Sequence, residues 1–156
     1  MVGECIRQAE VTPVKTNSEI IRDFMAEWTK GLDSTYQSIR DNFTPSTVYE
    51  NVGYPATVGI EDAVAFSKNV FKVLGVAREE VDMDTLAITE SGDKVFSERI
   101  DRLFLPDGSE LMAVAIMAIF EMKEGKIAKW REYFDTKTFD KIARNRYREL
   151  KASSLV

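Results

Sequence analysis

Hydrophobic positions along the chain change their period once, near Gly75, and that change organises the sequence. Upstream, Ile20, Ile21, Phe24, Met25 and Trp28 recur at the spacing of one helix face, with Asn17 or Ser18 as cap and Gly31 as stop. A shorter helical pattern runs from about Ser34 to Asn42 and presents Tyr36 and Ile39. Pro45 to Val52 reads as a strand ended by Gly53 and Pro55. Gly59 then opens a third helix, Ile60 to Leu74, with Val64, Phe71 and Leu74 along one side.

Downstream of Gly75 the period is two. Val81 to Thr89, Lys94 to Leu105, Glu110 to Met122 and Lys126 to Phe134 are successive strand candidates. The turns between them carry Ser91-Gly92-Asp93, Pro106-Asp107-Gly108 and Lys123-Glu124-Gly125, each a hairpin signal. Asp135 and Thr136 stand where caps belong for a closing helix that reaches about Lys151. Helices first and an antiparallel meander afterwards predict an α+β fold, with helices packed on one face of a curved sheet.

The 156 residues suit one domain spanning 1–156, with residues 1–16 as an N-terminal arm and 152–156 as a tail. A chain of this length buries a core without disulfides or a structural metal. The net charge is −5 and no long basic run occurs, which argues against nucleic acid and anionic membrane as partners. The basic residues between Lys141 and Lys151 alternate with apolar and acidic ones and read as a solvated helix face. Cys5 has no partner for an intrachain disulfide, and no apolar segment follows a basic start. The longest apolar run, Leu111 to Phe120, is too short to span a bilayer. The expectation is a cytoplasmic protein.

The chain has no histidine. That removes Ser-His-Asp and Cys-His triads and the common zinc sites. Asp82-Met83-Asp84 lacks the third ligand and the glycine of a calcium loop, and no phosphate-binding glycine loop occurs. No metal or organic cofactor is expected, and acid–base chemistry must come from carboxylates, Arg, Lys, Tyr, Ser and Thr.

A strand sends residues i and i+2 to the same face. Three strands set polar pairs at that spacing among apolar neighbours: Tyr49 with Asn51, Arg99 with Asp101, and Trp130 with Glu132. Arg99, Asp101 and Leu103 share one face of their strand, and Phe96, Ile100 and Phe104 share the other. Ala128, Trp130, Glu132 and Phe134 form one face of the last strand. An Arg between two buried carboxylates neutralises them, and lets one acid serve as base while the other holds a proton. By spacing alone, the commoner reading of such charges is a solvated strand face; Asp82 and Asp84 show the same spacing with no evident role.

Ser97-Glu98-Arg99-Ile100-Asp101, the run from Gly125 to Asp135, and Tyr49-Glu50-Asn51 together resemble the limonene-1,2-epoxide hydrolase family, over about Ser18 to Phe139. That family belongs to the SnoaL-like, nuclear-transport-factor-2-like superfamily. The resemblance implies a cone-shaped α+β fold whose helices pack on the concave face of a curved mixed or antiparallel sheet. It also implies one-step, cofactor-free hydrolysis of a hydrophobic epoxide to a vicinal diol. Tyr49 and Asn51 would hold the attacking water, the carboxylate at 132 would deprotonate it, Asp101 would protonate the epoxide oxygen, and Arg99 would bridge the acids. Trp130, Phe134, Tyr54, Trp28, Phe71 and Leu103 would line the substrate pocket. A homodimer is implied too, and the face of Phe96, Ile100 and Phe104 is compatible with one.

One position departs. The family carries Asp where this chain has Glu132. The added methylene moves the acid by about 1 Å, a misplacement that can cost roughly 10²-fold in rate. Asp135 cannot replace it, since its parity points to the other face. Two alternatives therefore stay open. One is a cofactor-independent lyase or isomerase on the same residues, dehydrating an aromatic diol or releasing formaldehyde from a lignin-type one. The other is a non-catalytic binding or adaptor module. An adaptor would leave Arg99, Asp101 and Glu132 exposed or scattered. Either enzyme would gather them with Tyr49 and Asn51 at the bottom of one apolar cavity.

Overall fold

A capping box starts the first helix: the Thr16 side chain accepts from the Glu19 amide, and the Glu19 carboxylate accepts from the Thr16 amide. The cap is thus Thr16, one residue before the predicted Asn17 and two before Ser18. The reciprocal bond to Glu19 favours it, a pattern the hydrophobic period does not contain. The computed structural model describes residues 14–76 and 81–154; Cys5, all but the last three residues of the predicted arm, and the last two of the tail lie outside the described residues.

The elements run α1 (Asn17–Trp28), α2 (Leu32–Asn42), β1 (Phe43–Asn51), β2 (Thr57–Val58), α3 (Ile60–Leu74), β3 (Val81–Ser91), β4 (Lys94–Phe104), β5 (Glu110–Lys123), β6 (Lys126–Tyr133) and α4 (Thr136–Ser153). The second helix starts two residues before the predicted Ser34, and the first strand opens at Phe43. β2, two residues long, carries too little pattern to be predicted. The third helix keeps its predicted bounds. Asp135 caps α4 by accepting from the amides of Lys137 and Thr138.

β3 to β6 form the antiparallel meander the turns imply. In the last of those turns Glu124 and Gly125 both take positive φ, 52° and 73°, as a two-residue hairpin loop demands. β1 then adds to the meander's other side, parallel to β6, and the sheet order is β2-β1-β6-β5-β4-β3. The sheet is therefore mixed. Irregular register at Leu86 in β3 and between Glu121 and Met122 in β5 bends it, and the helices fill the concave side. Pro45 is accommodated where β1 and β6 slip register between Phe43 and Val48.

Strand parity sorts the residues. Met112, Ile116, Ala118, Phe120 and Met122 of β5 face inward and are buried, whereas Ala113, Ala115 and Met117 face out. Ile21, Phe24, Met25 and Trp28 of α1 and Val64, Phe71 and Leu74 of α3 complete the core. α4 has no buried residue; Phe139, Ile142 and Ala143 pack against the core edge, and Arg146 Nε donates to the last-turn carbonyl of Leu74. No helix among the described residues is long and apolar enough to cross a membrane.

Gly59, between β2 and α3, sits at φ +90°, and a Cβ there would meet the Pro45 carbonyl oxygen at 2.9 Å. Gly59→Ala should destabilise by about 1–3 kcal/mol through strain and backbone clash. A thermal melt unchanged from wild type would show that this turn relaxes freely.

Candidate active site

Register decides which side chains meet. Tyr49 of β1 lies opposite Trp130 of β6, and Asn51 opposite Glu132. Phe120 of β5 lies on the other side of Trp130, so three rings stack across three strands: Tyr49 on Trp130 at 4.3 Å and Phe120 on Trp130 at 5.2 Å. This ladder underlies the adjoining polar row, one step further along the same strands.

Arg99 of β4 joins the acids. Its Nε donates to Asp101 Oδ1 at 2.8 Å and its Nη2 to Asp101 Oδ2 at 3.1 Å, while Nη2 also donates to Glu132 Oε1. Tyr49 donates its hydroxyl to Glu132 Oε2 at 2.9 Å, so both glutamate oxygens are held. The arginine side chain is wholly inaccessible to solvent. Its Nη1 has no hydrogen-bond partner among the described residues; the guanidinium carbon lies 5.7 Å from the Trp130 ring centroid, which adds a cation–π attraction. Burial opposes the arginine's charge, but Glu132 and Asp101 outweigh it and keep it protonated.

The two acids are not equivalent. The Asp101 side chain is 14% exposed and that of Glu132 4%, so aspartate is the acid more open to a ligand. Burial pushes the Asp101 carboxyl up to about 6, against the lowering effect of Arg99 and with a smaller upward push from Glu132. Burial, and then the Glu132 charge, push the Tyr49 hydroxyl well above its ordinary range, so it stays a donor. The hydrogen of Tyr49 is already directed to Glu132; toward a water it offers only its oxygen lone pairs.

Above these groups lies a cavity of about 240 Å³. Tyr49, Asn51, Arg99, Asp101 and Glu132 border it together, as do Trp28, Tyr54, Phe71, Leu103, Trp130 and Phe134. All the residues singled out from sequence meet there. Trp130, expected as pocket wall, borders the cavity, yet it has 0% exposure because its faces are covered by Tyr49 and Phe120. Tyr54, Phe134 and Phe139 cluster ring to ring, and Tyr54 donates to Asp140 at 2.7 Å. Burial and that bond raise the Tyr54 hydroxyl above its ordinary range. Sequence reasoning missed Phe66, Ser67 and Val70 of α3, Val81 and Met83 of β3, Phe139, and Val114 and Ile116. The last two were hidden by a register shift between Leu103 and Phe104: the turn's own pairing, Phe104 with Glu110, would set Asp101 opposite Ala113, whereas the strand sets it opposite Val114 and Arg99 opposite Ile116. Among the described residues no group of three or more acids or cysteines is placed to hold a metal ion, and Arg99 fills the place between the two buried carboxylates.

Residues 15–144 match the limonene-1,2-epoxide hydrolase catalytic domain. An LEH-like epoxide hydrolase of M. tuberculosis has 20% identity and a TM-score of 0.62, over 88% of this chain and 96% of that one. A protein assigned as a SnoaL-like polyketide cyclase from Jannaschia sp. CCS1 has 21% identity and a TM-score of 0.67, over 87% and 97%. TerC, crystallised with polyporic acid, has 19% identity and a TM-score of 0.67, over 82% and 98%. At these identities the structural likenesses establish the NTF2-like fold.

Asp101 links stability to pH. An unfolded aspartate releases its proton near 3.8, the folded one near 6, so between those values the folded chain binds more protons and its stability falls as pH rises. Asp101→Asn should flatten that slope. Urea midpoints of both proteins at several pH values from 4 to 7 would measure it, and parallel profiles would refute the raised carboxyl.

Proposed function

Because the chain belongs to the limonene-1,2-epoxide hydrolase catalytic domain family, we propose that it hydrolyses a small hydrophobic epoxide to a vicinal diol without a cofactor. One observation carries the reading: a single buried guanidinium bonds both carboxylates at the floor of an apolar cavity. Glu132 takes a proton from water as the water oxygen attacks an epoxide carbon; the ring C–O bond breaks, and Asp101 gives its proton to the departing oxygen. Before the step the negative charge sits on Glu132, and after it on Asp101. Arg99 pairs with both, so the charge moves from one side of the guanidinium to the other and the total on the three groups is unchanged. Asn51 and the lone pairs of Tyr49 are the groups available to orient the water. The longer acid at 132 is compatible with this role because Arg99 and Tyr49 restrain both of its oxygens.

Mass spectrometry of products from terpene and aryl epoxides and aromatic diols, in oxygen-18 water, tests the reaction. Label in a vicinal diol supports hydrolysis; an alkene formed without label gain would assign elimination on the same residues instead. Asp101→Asn should lower kcat by about 10²–10⁴-fold. In the wild type, activity should decline as pH rises through about 6, since the proton donor is then lost. A folded Asp101→Asn variant with wild-type turnover would remove Asp101 as donor.

The convex side of the sheet supports a second assignment. Phe96, Ile100 and Phe104 are only partly covered there, and Met117 is 53% and Tyr133 42% exposed. A second copy of the chain seated on this face would bury that surface. Met117→Glu should convert a dimer to monomers in sedimentation velocity; a wild-type monomer at micromolar concentration would rule the pairing out.

A further inference from the structure

Between the two strands that carry the arginine and the glutamate runs a third. Arg99 belongs to β4 and Glu132 to β6, with β5 between them, and strands two apart are separated by roughly 9.5 Å. The guanidinium nevertheless bonds Glu132 directly. On β5, Ile116 stands opposite Arg99, and Ala118 stands opposite Glu132. On β4, Ser97 stands opposite Ala118. The path from the arginine backbone to the glutamate carboxylate therefore crosses β5 diagonally, from the row of Ile116 to the row of Ala118. Along the inward face of β5, Met112, Val114, Ile116, Phe120 and Met122 are all larger. Ala118 alone on that face is a single methyl, and it is 1% exposed.

We propose that Ala118 is a positioning residue for the reaction: its methyl leaves open a trough across β5 through which Arg99 reaches Glu132, and so couples the acid to the base. Branched atoms at 118 would stand in that path. Arg99 would keep Asp101, two residues along its own strand, and lose Glu132. Glu132 is faced by Arg99 from β4 and by Tyr49 and Asn51 from β1. Asp101 is bonded by Arg99 on its own strand and feels the charge of Glu132 from β6 and, more weakly, that of Asp82 from the other face of β3. With the guanidinium confined to Asp101 and Glu132 no longer drawn to it, Asp101 releases its proton at lower pH.

The kinetic arm of the test rests on the epoxide-hydrolase reading; the spectroscopic arm does not. In the full chain, Ala118→Val should lower kcat by about 10²-fold with KM nearly unchanged, because substrate contacts are untouched. The alkaline limb of its pH profile should move down. Carbon-13 NMR of the Asp101 carboxyl should show a lower titration midpoint in Ala118→Val. Near-UV circular dichroism checks folding. If the valine variant does not fold, Ala118→Ser carries the test, with a smaller loss of kcat and a midpoint shift of the same sign. A folded variant with the wild-type Asp101 midpoint overturns the proposal. Should the wild type turn over no epoxide, that midpoint alone decides: a lowered value sustains the role of Ala118 while the hydrolase reading falls, and an unchanged one ends both.

Discussion

The bond from Arg99 to two carboxylates is the constraint on which the rest of the site depends. Three ionisable groups lie largely buried, and each would be costly to bury charged and alone. They are tolerable because the guanidinium presents N–H groups to both acids. Remove the arginine and two acids share a pocket that cannot solvate them; remove one acid and the other must balance the cation alone. The apolar cavity, the raised carboxyl of Asp101 and the restrained carboxylate of Glu132 all presuppose that arrangement.

Burial then makes two chemically similar acids different. Asp101 opens to the cavity and keeps its proton to about pH 6. Glu132 lies deeper, with one oxygen on Arg99 and the other on Tyr49. A chain without histidine thereby holds two carboxyl groups in unlike environments in one place. Beneath them the stacked rings of Tyr49, Trp130 and Phe120 form a rigid floor in which Trp130 also meets the guanidinium. Side chains held this way lose little further freedom on binding a ligand.

The helices contribute less chemistry and more enclosure. α1 and α3 supply the apolar wall through Trp28, Phe66 and Phe71. α4 packs by its edge, where Phe139 joins Phe134 and Tyr54 beside the cavity. The bond from Tyr54 to Asp140 ties that helix to the turn after β1. An acidic, cavity-facing centre and an aromatic rim thus come from different positions along the same strands.

The amino-acid sequence by itself determined the features that local geometry dictates. Alternation put Arg99 with Asp101, Tyr49 with Asn51, and Trp130 with Glu132 on shared faces, because a strand's side chains alternate whatever its neighbours are. Gly59 and Gly75 bounded α3, since each takes a positive φ that a helix interior lacks. Glycine turns closed the meander. The tertiary structure alone decided where β1 joins the meander. β1 joins β6 in parallel across about eighty residues of sequence, and only that pairing sets Asn51 beside Glu132. It also decided the register that sets Ala118 of β5 between Arg99 and Glu132, and that Trp130 is wholly buried at the cavity's edge. Parity is set by dihedral angles within a few residues, whereas partner choice is set by which distant surfaces bury each other most completely, and no short stretch of sequence contains that comparison.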